Sequence, residues 1–286
     1  SPEDNLVAAI DLGSNSFHLA IAKLDHGELR RIDSLSEKVQ LAAGLDEDNN
    51  LTEHSQQRAL ACLARFAQRL QAIPPKRLRI VATNALRQAN NAKHLMEQAE
   101  QILNQRIEII AGREEARLIY LGVANGLAAS DQRRLVVDIG GGSTEIIVGE
   151  GFTPRLRESL SMGCVSASLR HFGDGVITAA GMSRAELAGA IEIRPVRERF
   201  RQSGWRDVVG SSGTVKSIAA VVAAQGWAQD GITLDALNRL RDALVDFGSV
   251  EAIDLEGLAE ERRPVFTGGV AVLRSVFTAL GIERMQ

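Results

Sequence analysis

The spacing of apolar residues alternates along this chain between a period near two and a period near three and a half, and each switch marks an element. Val7–Leu12, Ser16–Lys23 and Glu28–Ser36 read as three short strands, with Asp25-His26-Gly27 as the turn joining the second to the third. Lys38 to Asn50 carries Gly44 and an Asp-Glu-Asp-Asn run and reads as loop. Thr52 is placed as a helix N-cap, after which Leu60, Leu63, Ala64, Ala67 and Leu70 recur at helical spacing until Pro74-Pro75 ends the run. Arg77–Ala82 predicts a buried strand, Asn90–Leu103 a helix and Ile107–Ile110 another strand.

The order then repeats. Glu114–Asn125 is apolar on one face through Ala116, Ile119, Tyr120 and Val123, and is expected to cross between two domains. Arg134–Ile139, Thr144–Gly149 and Arg155–Ser161 follow as strands, with a helix from about Val165 and another over Ser183–Phe200. Pro195 inside that last helix predicts a kink or a break. Val208–Gly210 is a short strand, Val215–Ala224 and Thr233–Phe247 are helices, and Pro264 opens a final helix to Leu280. Strands followed by helices, twice over, predict an α/β protein of two like domains, 6–124 and 125–286.

Composition narrows the class. Of 286 residues, 45 % are hydrophobic and only 4 % aromatic, so Leu, Ile, Val and Ala must fill the core. Cys62 and Cys164 make no disulfide framework, and a cytoplasmic setting is expected. No apolar run reaches the roughly 18 residues that span a bilayer. Ser1 to Asn5 is short and polar, unlike a signal peptide, and is expected to be disordered or foreign to the natural chain. A net charge of −3 argues against a nucleic-acid partner. The basic residues are mostly Arg, whose guanidinium suits phosphate oxygens, although genome composition accounts for the bias equally well.

The candidate chemistry centres on Val136-Val137-Asp138-Ile139-Gly140-Gly141-Gly142-Ser143-Thr144-Glu145. A hairpin turn needs one or two glycines, not three followed by Ser-Thr. A run of backbone N–H groups with no Cβ in the way can instead wrap a phosphate. Asp138 at the strand end can hold a cation or its water beside those phosphates, and Glu145 adds a second carboxylate. The N-terminus carries the same pattern in Ala8-Ala9-Ile10-Asp11-Leu12-Gly13-Ser14-Asn15-Ser16. Two such turns predict two related domains facing each other across a phosphate-binding cleft.

These residues resemble the paired phosphate loops of the actin, sugar-kinase and heat-shock-chaperone ATPase superfamily. More narrowly, Asp11–His18, Ala82–Arg87, Gly112–Arg117, Asp138–Glu145 and Met162–Ser166 resemble the exopolyphosphatase / guanosine pentaphosphate phosphohydrolase family, in that family's order. The resemblance implies two ribonuclease H-like (actin-like ATPase) domains with the active site in the cleft between them. It also implies that Glu115 of the Glu114-Glu115 pair is the general base and that Arg87 counters charge on the substrate phosphate. Without it, first-turn acids on a helix and an exposed Arg would be the plain readings. Magnesium on Asp138 and Glu145 is the expected cation, with potassium a further candidate. Relatives carry an additional all-helical C-terminal region, and a homodimer is more to be expected of the full-length protein.

The binding residues follow from these turns, and weaker candidates stand beside them. Asp11, Gly13, Ser14, Asn15 and Ser16 form one binding turn and Gly140, Gly141, Gly142, Ser143 and Thr144 the other. Gly210-Ser211-Ser212-Gly213-Thr214 leads into a helix as a third anion-binding turn, and Gly268-Gly269 is a faint fourth. Cys164 is expected to line the site or pack, and His18 to be a core or edge histidine. Arg194, Arg197, Arg199 and Arg201, or Arg262-Arg263, offer a track for a polyanion, against a solvated helix face as the plain reading. The expected activity is exopolyphosphatase, releasing terminal phosphate from inorganic polyphosphate. Alternatives are hydrolysis of guanosine pentaphosphate to the tetraphosphate, and a non-catalytic module that binds polyphosphate or the alarmone.

Overall fold

The computed structural model describes residues 5–25, 28–128 and 131–286. Ser1 to Asp4, most of the polar N-terminal stretch, lie outside them, as do His26 and Gly27 of the expected hairpin turn. The chain forms two compact units, Ser1–Ala111 and Gly112–Gln286.

The first unit is built on β1 (Leu6–Leu12), β2 (Ser16–Asp25), β3 (Glu28–Lys38), β4 (Leu78–Ala82) and β5 (Glu108–Ile109), in the spatial order β3-β2-β1-β4-β5. The first three strands are antiparallel; β4 joins β1, and β5 joins β4, in parallel. Parallel neighbours require crossovers. These are supplied by α1 (Glu53–Arg69) and by α2 (Asn84–Gln88) with α3 (Ala92–Leu103). Thr52 caps α1 as its sequence indicated, accepting the Ser55 N–H at 3.3 Å. Leu63 and Phe66 of α1 pack with Ile10, Leu19 and Ile80 of the sheet in one core.

The second unit opens with α4 (Gly112–Gly126), followed by β6 (Arg133–Ile139), β7 (Thr144–Glu150), β8 (Thr153–Leu160), α5 (Cys164–Phe172), α6 (Ala179–Ser203) and β9 (Asp207–Ser211). Its sheet order is β8-β7-β6-β9, the order of β3-β2-β1-β4 with the same parallel and antiparallel pairings. The internal repeat is therefore topological. After β9 come α7 (Ser212–Ala224), the short β10 (Ile232–Thr233), α8 (Leu234–Phe247), α9 (Arg263–Leu280) and β11 (Arg284–Met285), which pairs with β10. Gln286 hydrogen-bonds on both sides to β9, through Gly210 N–H to its carbonyl and its own N–H to Val208, which places it where β5 stands in the first sheet. Leu135 to Val137 and Ile146 to Val148 are all buried, so both faces of the sheet centre are covered. α4 packs on one face through Ala116 and Tyr120 against Val136 and Ile147.

Three expectations need correction. Helix α6 runs unbroken through Pro195 and starts earlier than expected, with Thr178 as its cap. Pro195 is exposed, so the carbonyl it leaves without an N–H can turn to water. Gly268 and Gly269 are not a turn; they lie buried inside α9. His18, expected as a core or edge histidine, is exposed on β2, which lies between β3 and β1 and is not an edge strand. Among the described residues no helix is long and apolar enough to cross a membrane.

Candidate active site

In each unit the tight turn follows the first strand of its sheet. A Cβ on Gly13 would sit 2.7 Å from the Ser16 carbonyl oxygen, and one on Gly140 would sit 3.2 Å from that of Ser143. Both turns thus fold back on their own backbone, at Gly13 so closely that only glycine fits and at Gly140 with room for a Cβ only if the Ser143 carbonyl gives way. In the second, Gly140 N–H donates to Ser143 O at 2.9 Å.

The strand register then lines up the chemistry of the second unit. Asp138 on β6 is the cross-strand partner of Glu145 on β7; Glu145 is paired with Ser159 on β8, and Asp138 with Ser211 on β9. Residues in register share a face, so Ser159, Glu145, Asp138 and Ser211 form one row across four strands. Asp138 and Glu145 are two residues from Val136 and Ile147, which places the row on the face that α4 covers. Glu115, in the first turn of α4, accordingly lies near enough to Glu145 for their charges to interact.

Hydrogen bonding and charge distinguish these carboxylates. Glu145 is 1 % exposed, and Ser159 Oγ donates to its Oε1 at 2.6 Å. Burial pushes its carboxyl well above the ordinary range, and the charges of Glu115 and Asp138 push it further, against hydrogen bonds from Ser159 and Ser143. Burial also raises Asp138, opposed by the Ser211 hydroxyl and the Lys216 ammonium on α7. Glu114 is occupied elsewhere: Arg117 grips it through two hydrogen bonds of 2.7 and 2.8 Å. The structure therefore separates the Glu114-Glu115 pair, turning one into a helix-surface ion pair and the other toward the acidic row.

The other candidates fall as follows. In the first unit Asp11 and His18 are cross-strand partners, both exposed. Ser14 is buried and accepts the Ala85 N–H at 3.1 Å, tying its turn to α2; the Asn15 carbonyl accepts from Val39 and Gln40. Arg87, on α2, donates to the Ile110 carbonyl at 2.6 Å. In the second unit Thr144 is buried and donates to the Met162 carbonyl. Ser212, at the turn into α7, holds φ at +91°, a conformation costly for a residue with a Cβ, and its hydroxyl accepts the Val215 N–H. Cys164 is 1 % exposed with its thiol hydrogen-bonded to Thr214, and burial pushes that thiol up, away from nucleophilic form.

The arginines of α6 diverge. Arg199 pairs with Glu158, Arg197 with Glu198, and Arg201 lies against Gly281 at the end of α9. Arg262 instead packs over Gly213 at the start of α7. Sequence reasoning missed Ser159 and Lys216; the alternation along β8, aligned to β7, was the one signal pointing to Ser159.

The donor set suits a hard cation. Asp138 and Glu145 offer carboxylate oxygens whose mutual repulsion a divalent ion would relieve. Among the described residues no three His, Cys, Asp or Glu side chains group to hold an ion alone.

The model of the Ppx/GppA phosphatase family matches residues 20–286. A guanosine-5′-triphosphate,3′-diphosphate pyrophosphatase of Photobacterium profundum is 45 % identical over 285 residues, covering 100 % of this chain and 57 % of that protein. The chain thus spans little more than half the length of this curated relative. Among solved structures, the Aquifex aeolicus PPX-GPPA enzyme superposes with a TM-score of 0.78 at 25 % identity, over 98 % of this chain and 95 % of that one. An exopolyphosphatase from Cytophaga hutchinsonii gives 0.86 at 23 % identity, over 98 % and 92 %, a likeness of fold.

Proposed function

The chain belongs to the Ppx/GppA phosphatase family, and on that footing we propose that it hydrolyses a terminal phosphoanhydride bond, with guanosine pentaphosphate its preferred substrate. Water attacks the terminal phosphorus, the bond to the bridging oxygen breaks, and orthophosphate leaves with the tetraphosphate as the other product. The observation that carries the reading is the row Ser159–Glu145–Asp138–Ser211, with Glu115 beside it and a turn of three glycines between its two acids. Guanosine pentaphosphate is placed before polyphosphate because the relative bearing that activity in its name is 45 % identical along the whole of this chain.

Each group has a task in this reading. Glu115 takes the proton of the attacking water. Backbone N–H groups of Gly141 and Gly142 bind the terminal phosphate, and the Asp11–Ser16 turn is the second phosphate-holding element. Arg87 balances charge that grows on the transferred group. Asp138 and Glu145 would hold magnesium, which supplies positive charge to the phosphate oxygens. Ser159 fixes the Glu145 carboxylate, while Ser211 and Lys216 do the same for Asp138.

Polyphosphate is the second reading, since the family description covers both enzyme types and every group named above touches terminal phosphates alone. Phosphate release from guanosine pentaphosphate, long polyphosphate and ATP, measured side by side, tests the choice. The highest kcat/KM is expected for guanosine pentaphosphate. A preference for long polyphosphate would move the assignment to exopolyphosphatase. Binding of both without phosphate release would leave a binding module.

A further inference from the structure

We propose that helix α5 aims the amides of the Gly140–Gly142 turn, and that Gly163, Ser166 and Gly268 are positioning residues for the reaction. The proposal rests on the functional reading above for its consequence, though not for its geometry. The first N–H groups of a helix lack partners within it. In α5 they are taken by the turn: Cys164 N–H donates to Gly140 O at 2.9 Å, Val165 N–H to Gly141 O at 2.9 Å, and Ser166 N–H to Gly141 O at 3.0 Å. The helix end is therefore filled by carbonyls of the turn and not by a ligand.

A trans peptide carries its C=O and N–H in opposite directions, and there is no cis bond among the described residues. With Gly140 O and Gly141 O drawn onto α5, the N–H groups of Gly141 and Gly142 must point away from it. Gly140 N–H is meanwhile spent on Ser143 O. Three consecutive glycines could otherwise rotate these peptides freely. Each rotation would turn a carbonyl, in place of a donor, toward a phosphate.

The seat of the turn is cut to backbone size. A Cβ on Gly163 would lie 2.4 Å from both the carbon and the oxygen of the Gly141 carbonyl and 2.5 Å from Gly142 N. Its φ of −152° is open to any residue, so space is the reason for glycine here. Ser166 Oγ accepts the Gly163 N–H at 3.0 Å and locks this seat to the helix. From behind, α9 fixes the height of α5: Gly268 N–H donates to Ser168 Oγ at 3.2 Å, and a Cβ there would come 2.5 Å from Ser168 N and 2.7 Å from Cys164 O. Glycine inside a helix is unfavourable, and this contact accounts for its place in α9.

The test compares Gly163→Ala, Gly268→Ala, Ser166→Ala and Ser166→Thr, with Leu240→Ala, in the buried face of α8, as a control of lowered stability. Two readouts are taken: amide hydrogen exchange across residues 140–145 without substrate, and KM and kcat for guanosine pentaphosphate. Faster exchange in the turn is expected for Gly268→Ala and Ser166→Ala, with KM raised about tenfold and kcat changed less. Ser166→Thr keeps the hydroxyl and should restore both. If Gly163→Ala does not fold, the other two variants still decide. Unchanged exchange in both, or an equal rise of KM in Leu240→Ala, would overturn the proposal. Absence of phosphate release by the parent protein would defeat the functional reading, while the exchange data would still judge the role of α5.

Discussion

Exchanging each carboxylate of the Glu114-Glu115 pair in turn sets two adjacent residues of like chemistry against each other. Glu114 is bound by Arg117 at i+3, and both side chains are 36 % exposed. An ion pair so open to water is screened and contributes little to stability. Glu114→Gln should thus lower the melting temperature by no more than about 2–4 °C, and, since that carboxylate is held on the helix surface by Arg117, leave turnover within about threefold. Glu115 stands next to Glu145, where the two charges repel, and in the proposed reaction it accepts the proton of water. Loss of a general base costs about 10²–10⁴ in rate, or roughly 2.7–5.4 kcal/mol of transition-state stabilisation at 1.36 kcal/mol per decade. Gln keeps the shape and removes the basicity, so the loss should appear in kcat with KM nearly unchanged. The assay is steady-state phosphate release with circular dichroism melts of the same preparations. Equal losses in both variants, or a Glu115→Gln protein turning over within about threefold of the parent, would refute the division of labour between them.

Activity should vanish in excess chelator and return with magnesium, and Asp138→Asn should raise the magnesium needed for half-activation by about tenfold or more; full activity in chelator would remove the cation from the reaction. Arg65 holds the Glu37 carboxyl below its ordinary value, with Arg65 Nε 2.8 Å from Oε1. That pair therefore stabilises the fold above the unfolded carboxylate pKa and is lost as pH falls through the lower, folded one, so Arg65→Ala should cost stability at neutral pH and progressively less as the medium is acidified below the ordinary carboxylate range; a deficit that does not shrink on acidification would contradict this sign. Burial pushes the Cys62 thiol up to about 12 and the Cys164 thiol up as well, so a thiol reagent at pH 8 should label both only at the rate of unfolding. Rapid labelling of either in the native protein would count against the burial assigned to it.

Local signals make the strands and long helices legible in the sequence alone. Alternation locates β1 and β2, runs of β-formers locate β6 and β7, and Thr52 marks the start of α1, because these features are written within a few neighbouring residues. What stays hidden depends on contacts between distant segments. The five-residue α2 has too few turns to show a period. Pro195 reads as a breaker until its exposure is known. Gly268-Gly269 reads as a turn until α5 is seen packed against it. Ser159 is an ordinary strand residue in sequence; only the β7–β8 register places its hydroxyl on Glu145. The candidate site divides likewise, with glycines and acids visible as types and their partners fixed by register.

The repeat also shows how far two similar frameworks can part in chemistry. Matching the sheets strand for strand equates Asp11 with Asp138, His18 with Glu145 and Val81 with Ser211. Only one of these three pairs keeps its residue type. In the first unit the position beside the aspartate is an exposed imidazole; in the second it is a carboxylate buried to 1 % exposure and supported by a serine. A buried acid beside another has its carboxyl raised by burial and by the neighbouring charge, as Glu145 has beside Asp138, and weakens the fold unless something offsets the repulsion. The first unit does not carry that cost, since His18 and not a second acid stands across from Asp11. In the proposed hydrolysis the turn of the second unit must bring charge and a base as well as hold phosphate, and the acidic row lies in that same unit.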